Sequence, residues 1–333
     1  MIGNFFTEVW KIAIAKDAKA SAKRLAAVAL LLVAVVVVSG YYSARTLQWW
    51  QTPQTADVKG VAPDLAWGLI AGSMIVLLAM IGLQINGRIG GALIDEQNLM
   101  SLSRFQLVAW TVLVVSAFLT IALIRAFSGV NDALNITVPP ELWKLLGITS
   151  ASAVGREVVH AMKKEKQPSN PDVAAANSAA AINDNAKSAA EQTNVQEIEL
   201  HRAGTLYGNP KPSDASFVDM FQGVEVGNTA YVDMAKVQMF FFTIAAIVAY
   251  ASEVFTMLAT HFANHLLTAP KAATLAQLPA IGSGLLAILT ISHATYLGAK
   301  SIDHTSTSAS GSANAAAAVA ANAVIDAPGE QDI

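Results

Sequence analysis

The feature that most constrains this chain is a duplication within its hydrophobic half. Ser101-x-x-Arg104-x-Gln106 opens one apolar run and Asp233-x-x-Lys236-x-Gln238 opens another, at a constant offset of 132 residues that also pairs Thr111 with Thr243 and Phe118 with Tyr250. A second match follows each run. Leu146-Gly147-Ile148-Thr149-x-Ala151-x-x-x-Gly155 lies over Leu289-Thr290-Ile291-Ser292-x-Ala294-x-x-x-Gly298 at an offset of 143, so the intervening loop is 11 residues longer in the second copy. The repeated unit reads as a pair of membrane helices. Self-similarity of this kind sets an architecture and a symmetry, but no catalytic or ligand signature accompanies it.

A chain that is 54% hydrophobic and only 14% charged departs from soluble averages, where roughly a quarter of residues are charged. It belongs to the membrane class. The apolar runs are 25–42, 65–83, 105–124, 142–159, 237–258 and 278–299. Crossing the hydrocarbon core takes roughly 20 apolar residues, which the third, fifth and sixth supply and the second nearly does. The fourth carries Lys144, Arg156 and Glu157, and its match to the sixth is what argues for a span. The expected fold is all-α, a polytopic membrane helical bundle of about six transmembrane helices with an internal parallel repeat of two-helix hairpins.

With six crossings and the N-terminus inside, only Arg45, Lys59, Arg125, Lys144 and Lys271 fall outside, and every other Lys and Arg lies on the inner side. The positive-inside rule supports that orientation. The expected location is a bacterial-type inner membrane with both termini cytoplasmic. Trp49, Trp50, Trp67 and Trp143 then fall at the outer interface, where aromatic belts form. The first run, behind Lys11, Lys16, Lys19, Lys23 and Arg24, also reads as a cleavable signal peptide. The long amphipathic stretch before it favours an uncleaved anchor.

These runs divide the chain into a basic amphipathic cytoplasmic flank (1–24), an N-terminal transmembrane pair (25–100), a first repeat hairpin (101–162), a cytoplasmic insert (163–232), a second repeat hairpin (233–302) and an Ala/Ser-rich disordered tail (303–333). Ser101 and Asp233 are expected helix N-caps at equivalent positions. The insert begins as an Ala, Asn and Ser-rich linker. Its second part offers a short strand over 197–206 and a short helix capped by Ser213 or Asp214, with Phe217, Met220 and Phe221 on one face. It is too small for its own core and is expected to dock on the membrane or the bundle.

Candidate functional residues are few. Small residues four apart favour close helix packing in lipid, which singles out Gly68 and Gly72, then Gly147, Ala151 and Gly155, matched by Thr290, Ala294 and Gly298. Gln106, Gln238 and His293 are the candidate lining of a conduit, with the bland readings of an interfacial Gln and a neutral His satisfied by a hydroxyl beside them. Thr111 and Thr243 are expected to bond back one turn. Glu253 falls near the outer face. His261 and His265 share a helix face, but Glu253 is too far along to complete a metal site. No Walker A loop, dinucleotide fingerprint, His-Glu-x-x-His or Gly-x-Ser-x-Gly is present, and cysteine is absent.

No enzyme, cofactor or metal is expected. Two functions remain: a non-enzymatic scaffold or anchor that recruits a partner through its cytoplasmic insert, and a channel or transporter with a conduit between the repeats. The implied partners are the lipid bilayer, a cytoplasmic protein engaging the insert and a further copy of the chain; a net charge of −3 without a basic stripe argues against nucleic acid.

Overall fold

The computed structural model describes residues 18–49, 62–166, 203–229, 231–263 and 275–305. Among them are six α-helices: α1 (Ala18–Trp49), α2 (Pro63–Asn86), α3 (Leu102–Phe127), α4 (Pro140–Lys164), α5 (Met234–Ala263) and α6 (Ser283–Ser301). Strands are absent from the described residues, which hold only isolated bridges. Four helices carry stretches long and apolar enough to cross a bilayer, Leu25–Ala44, Pro63–Asn86, Leu102–Phe127 and Met234–Thr260. The chain is a helical membrane protein. By the same measure α4 and α6 fall outside that set, α4 being charged along its second half.

Local chemistry sets the helix ends. Pro63 occupies the first turn of α2, and Gly87 closes it at φ 70, returning its N–H to Leu83, as a left-handed cap does. The Ser101 hydroxyl accepts from the Arg104 N–H at the start of α3. Asp233 does the same for α5, its Oδ1 accepting from the Ala235 and Lys236 N–H groups at 3.1 and 3.3 Å. The two matched positions therefore act alike. The expected flank over 1–24 differs in part: residues 18–24 belong to α1 itself, while 1–17 lie outside the described residues, as do Trp50, His265, the linker over 167–202 and the tail from 306.

The described chain forms two compact units. The first comprises α1, α2, α3, the larger parts of α5 and α6, and α4 up to Ala153. Its core joins Trp110, Leu113, Ala117 and Ile121 of α3 to Leu142 and Leu145 of α4, Ala246, Tyr250 and Val254 of α5 and Leu289 of α6. A smaller cluster of Val28, Leu32 and Met80 joins α1 to α2. Arg125, 4% exposed, ties the loops together by donating to the carbonyls of Ala133, Asp132 and Leu275 at 3.0–3.2 Å. Beside it Thr137 and Gln277 pair in a parallel bridge, just before Pro139 and Pro279.

The second unit gathers 96–100, the last turns of α4, the insert, the start of α5 and the end of α6. Its described part between α4 and α5 is made of turns, isolated bridges and 3-10 helices. The short-helix cap expected at Ser213 or Asp214 lies instead at Ser216, whose side chain caps a 3-10 helix over Phe217–Phe221 while Asp219 returns the bond; Pro212–Asp214 form a separate 3-10 turn. The capping box needs an acid three residues on, and only Ser216 has one placed to serve this helix. Of the expected strand, the described part makes single bridges from Leu206 to Ala203 and Glu225.

Candidate functional site: a buried charge cluster around the insert

One face of α4 changes chemistry along its length. Leu142, Leu145, Thr149, Ser152, Arg156, His160 and Lys163 recur three or four residues apart, and all are buried. The small-residue face, with Gly147 and Ala151, is the exposed one. In lipid an apolar face gains nothing by leaving the solvent, whereas a buried charged head needs a partner.

Arg156 pairs with its neighbour Glu157 at 3.0 Å, and the other partners come from the insert, from residues 96–100 and from the residues after α6. Lys163, 3% exposed, donates to the Glu225 carboxylate and, at 2.7 Å, to the Ile302 carbonyl. The other Glu225 oxygen accepts from the His304 N–H at 2.9 Å, and Thr305 accepts from the Gly227 N–H at 3.0 Å. Glu225 therefore pins the end of α4 and the residues after α6 to one turn. Asp303–Thr305, at the head of the expected tail, are held in this way. Lys300 pairs with Asp233 at 3.4 Å and lies 5.8 Å from the Tyr296 ring centre. Lys236 donates to the carbonyls of Asp219 and Gln222, and Asp219 accepts from Met100 and Ser216 N–H groups.

Residues 96–100 complete the cluster. Asn98, in a left-handed conformation at φ 58, exchanges side-chain to carbonyl bonds with Asn209 at 2.8 and 3.0 Å. Gln97 meets the His160 Nδ1 at 3.2 Å. Gly204, at φ 62, lies so close to the Lys163 and Lys164 carbonyls that a side chain could not fit, which lets the Thr205 N–H and hydroxyl reach the Lys163 carbonyl at the end of α4.

Burial and the neighbouring cations, Arg156 first, then Lys300 and Lys236, hold His160 neutral, with its pKa lowered to about 2. Its Nε2 is buried without a hydrogen-bond partner. Burial also lowers the Lys300 pKa to about 8, against the opposing pull of Asp233.

The residues singled out from sequence are dispersed. Gln106 is fully buried and donates to the Thr243 hydroxyl, and Thr243 bonds back to Met239 at 2.7 Å as expected. Gln238 is exposed, as are Thr111 and Glu253. His293 is buried with neither ring nitrogen partnered, so the hydroxyl partner expected for it is not made. Of the expected packing stripe, Gly147, Ala151, Thr290, Ala294 and Gly298 are all exposed among the described residues, and the Thr290 hydroxyl donates back to the Leu286 carbonyl at 2.8 Å. A Cβ at Gly68, Gly72, Gly147 or Gly298 would meet nothing within 4 Å. Gly155 alone is approached, by Leu297 at 3.1 Å from such a Cβ. The close glycine contacts lie elsewhere, at Gly40 against Leu123 and at Gly82 against the Gly91 backbone.

Sequence reasoning missed the buried basic set. Arg156, His160 and Lys163 at helical spacing, with Lys236 and Lys300 beside the matched motifs, were its signal. Among the described residues no group of His, Asp and Glu converges in a way that could hold a metal ion.

Comparison of the chain with family models, with curated proteins and with solved structures gives no match. The fold and the cluster define a helical membrane protein whose turn segment over 203–229 is fastened to its helix ends by buried charge.

Proposed function

We propose that the protein is a non-enzymatic scaffold or anchor in a bacterial-type inner membrane, presenting its insert to a cytoplasmic partner. In this reading the chain crosses six times with both termini inside, and residues 101–162 and 233–302 are parallel hairpins related by an axis along the membrane normal. The matched caps at Ser101 and Asp233 and the parallel pairing of Thr137 with Gln277 support the relationship. One observation carries the function: the buried charges around the insert are used on one another, Lys163 on Glu225 and Lys300 on Asp233, which fixes a surface rather than forming a reactive centre.

A second reading, a channel or transporter between the hairpins, is favoured by buried polar atoms of the first unit. The His293 ring nitrogens, Ser292 Oγ, Tyr250 OH and Gln106 Oε1 have no hydrogen-bond partner, and such atoms are usually satisfied by water. Ion and small-solute flux through liposomes containing the purified protein separates the two. Flux at the level of protein-free liposomes supports the scaffold; flux that Gln106→Leu abolishes overturns it in favour of the conduit.

A further inference from the structure

The segments 217–222 and 231–234 have an inside-out polarity for a loop meeting water. Phe217, Val218, Tyr231, Val232 and Met234 are 53%, 53%, 70%, 64% and 69% exposed. The two carboxylates of the same stretches turn inward. Asp219 is buried and accepts from Met100 and Ser216, and the Asp233 side chain, 15% exposed, pairs with Lys300. These two segments are one surface, since Gln222 bridges Val232 and the Asp233 N–H donates to the Phe221 carbonyl at 2.7 Å. Phe217 stacks edge-on against Phe221 at 5.4 Å.

We infer that this surface is a membrane-inserted wedge, seated in the headgroup and acyl boundary of the leaflet that α5 enters. Continuity of the chain selects lipid as the occupant. Met234 is the first residue of the apolar stretch Met234–Thr260, and Val232 precedes it by two residues, about 7 Å at roughly 3.3 Å per extended residue. The Phe217–Phe221 helix is joined to that same point by the bonds at Phe221 and Gln222. A surface tied there meets the bilayer edge before it meets bulk water. Its composition suits that depth, where a tyrosine keeps its hydroxyl among headgroups while phenylalanine and valine enter the boundary, about 5–10 Å deep for an apolar face. The wedge would hold the insert against the membrane independently of whether the protein is a scaffold or a conduit.

The chain has no cysteine, so single-site labels need no background mutations. Nitroxides at Val218→Cys and Tyr231→Cys, with exposed Ser213→Cys as the aqueous control, would be measured in the full chain reconstituted in phosphatidylethanolamine–phosphatidylglycerol liposomes. Collision with oxygen should exceed collision with a water-soluble nickel chelate at 218 and 231, with the reverse at 213. Two outcomes would overturn the inference. Nickel-favoured collision at 218 and 231 places the surface in water. Protection of both sites from both reagents places it against protein, either a partner or a second copy.

Discussion

The Gln106 side-chain amide, fully buried, donates to the Thr243 hydroxyl and so links α3 to α5. Thr243 is at the same time bonded back to Met239, which orients its oxygen to accept. The counterparts of this pair in the duplicated sequence, Gln238 and Thr111, are both exposed. One flank of the α3–α5 seam is therefore closed by a polar bond, while the matching positions on the other flank stand open. Thr243→Val keeps the shape and removes the acceptor, and should cost on the order of 1 kcal/mol, the scale of interhelical bonds in membranes. Gln238→Leu should leave the thermal midpoint of the detergent-solubilised protein unchanged. Equal effects of the two would mean that both flanks are closed in solution.

Glu225→Ala leaves the buried Lys163 ammonium with only the half-exposed Asp303 carboxylate at 4.0 Å and the Ile302 carbonyl, and also frees the His304 N–H. Breaking one half of a buried pair typically costs about 3–5 kcal/mol, and the segment after α6 should become accessible to protease. Adding Lys163→Met to that variant should recover much of the loss, because removing both charges is tolerated far better than removing one. Limited proteolysis and melting of the single and double variants test both expectations.

His160 supplies an acid sensitivity. Its folded pKa lies far below the ordinary 6.5, so below pH 6.5 the unfolded state binds a proton that the folded state refuses. Its contribution to stability is therefore complete above pH 6.5 and declines as the pH falls below that value. The thermal midpoint of the wild type should drop between pH 7 and pH 5 by more than that of His160→Gln.

Lys300 acts in a higher window with the same sign. Its folded pKa of about 8 lies below the ordinary 10.5, so the cost of burying its charge is full below pH 8 and is relieved as the pH rises toward 10.5. The stability of the wild type relative to Lys300→Met should increase between pH 7.5 and pH 9.5. A constant difference across that range would show that the ammonium is solvated.

Glycine substitutions distinguish real close contacts from mere spacing. Gly82→Leu must displace the Gly91 backbone, and overpacking of this kind costs roughly 1–3 kcal/mol. Gly147→Leu and Gly298→Leu enter open space and should leave the melting of the isolated protein unchanged.

The sequence alone determined that the chain is a helical membrane protein, and it located the starts of α3 and α5, because capping and hydrophobic length are local properties of a few adjacent residues. It also marked Gln106 as a residue to watch, without indicating that its partner would be Thr243 of the other hairpin. Only the tertiary structure decided which side of each helix is covered. In lipid the hydropathy of a face does not separate protein contact from bilayer contact, so Gly147 and Ala151 looked as ready to pack as Leu142 and Leu145. The charge cluster was hidden for a related reason: His160 and Lys163 are buried where Gln97, Glu225 and the Ile302 carbonyl, distant in sequence, arrive to meet them, and no local pattern announces a partner that far along the chain.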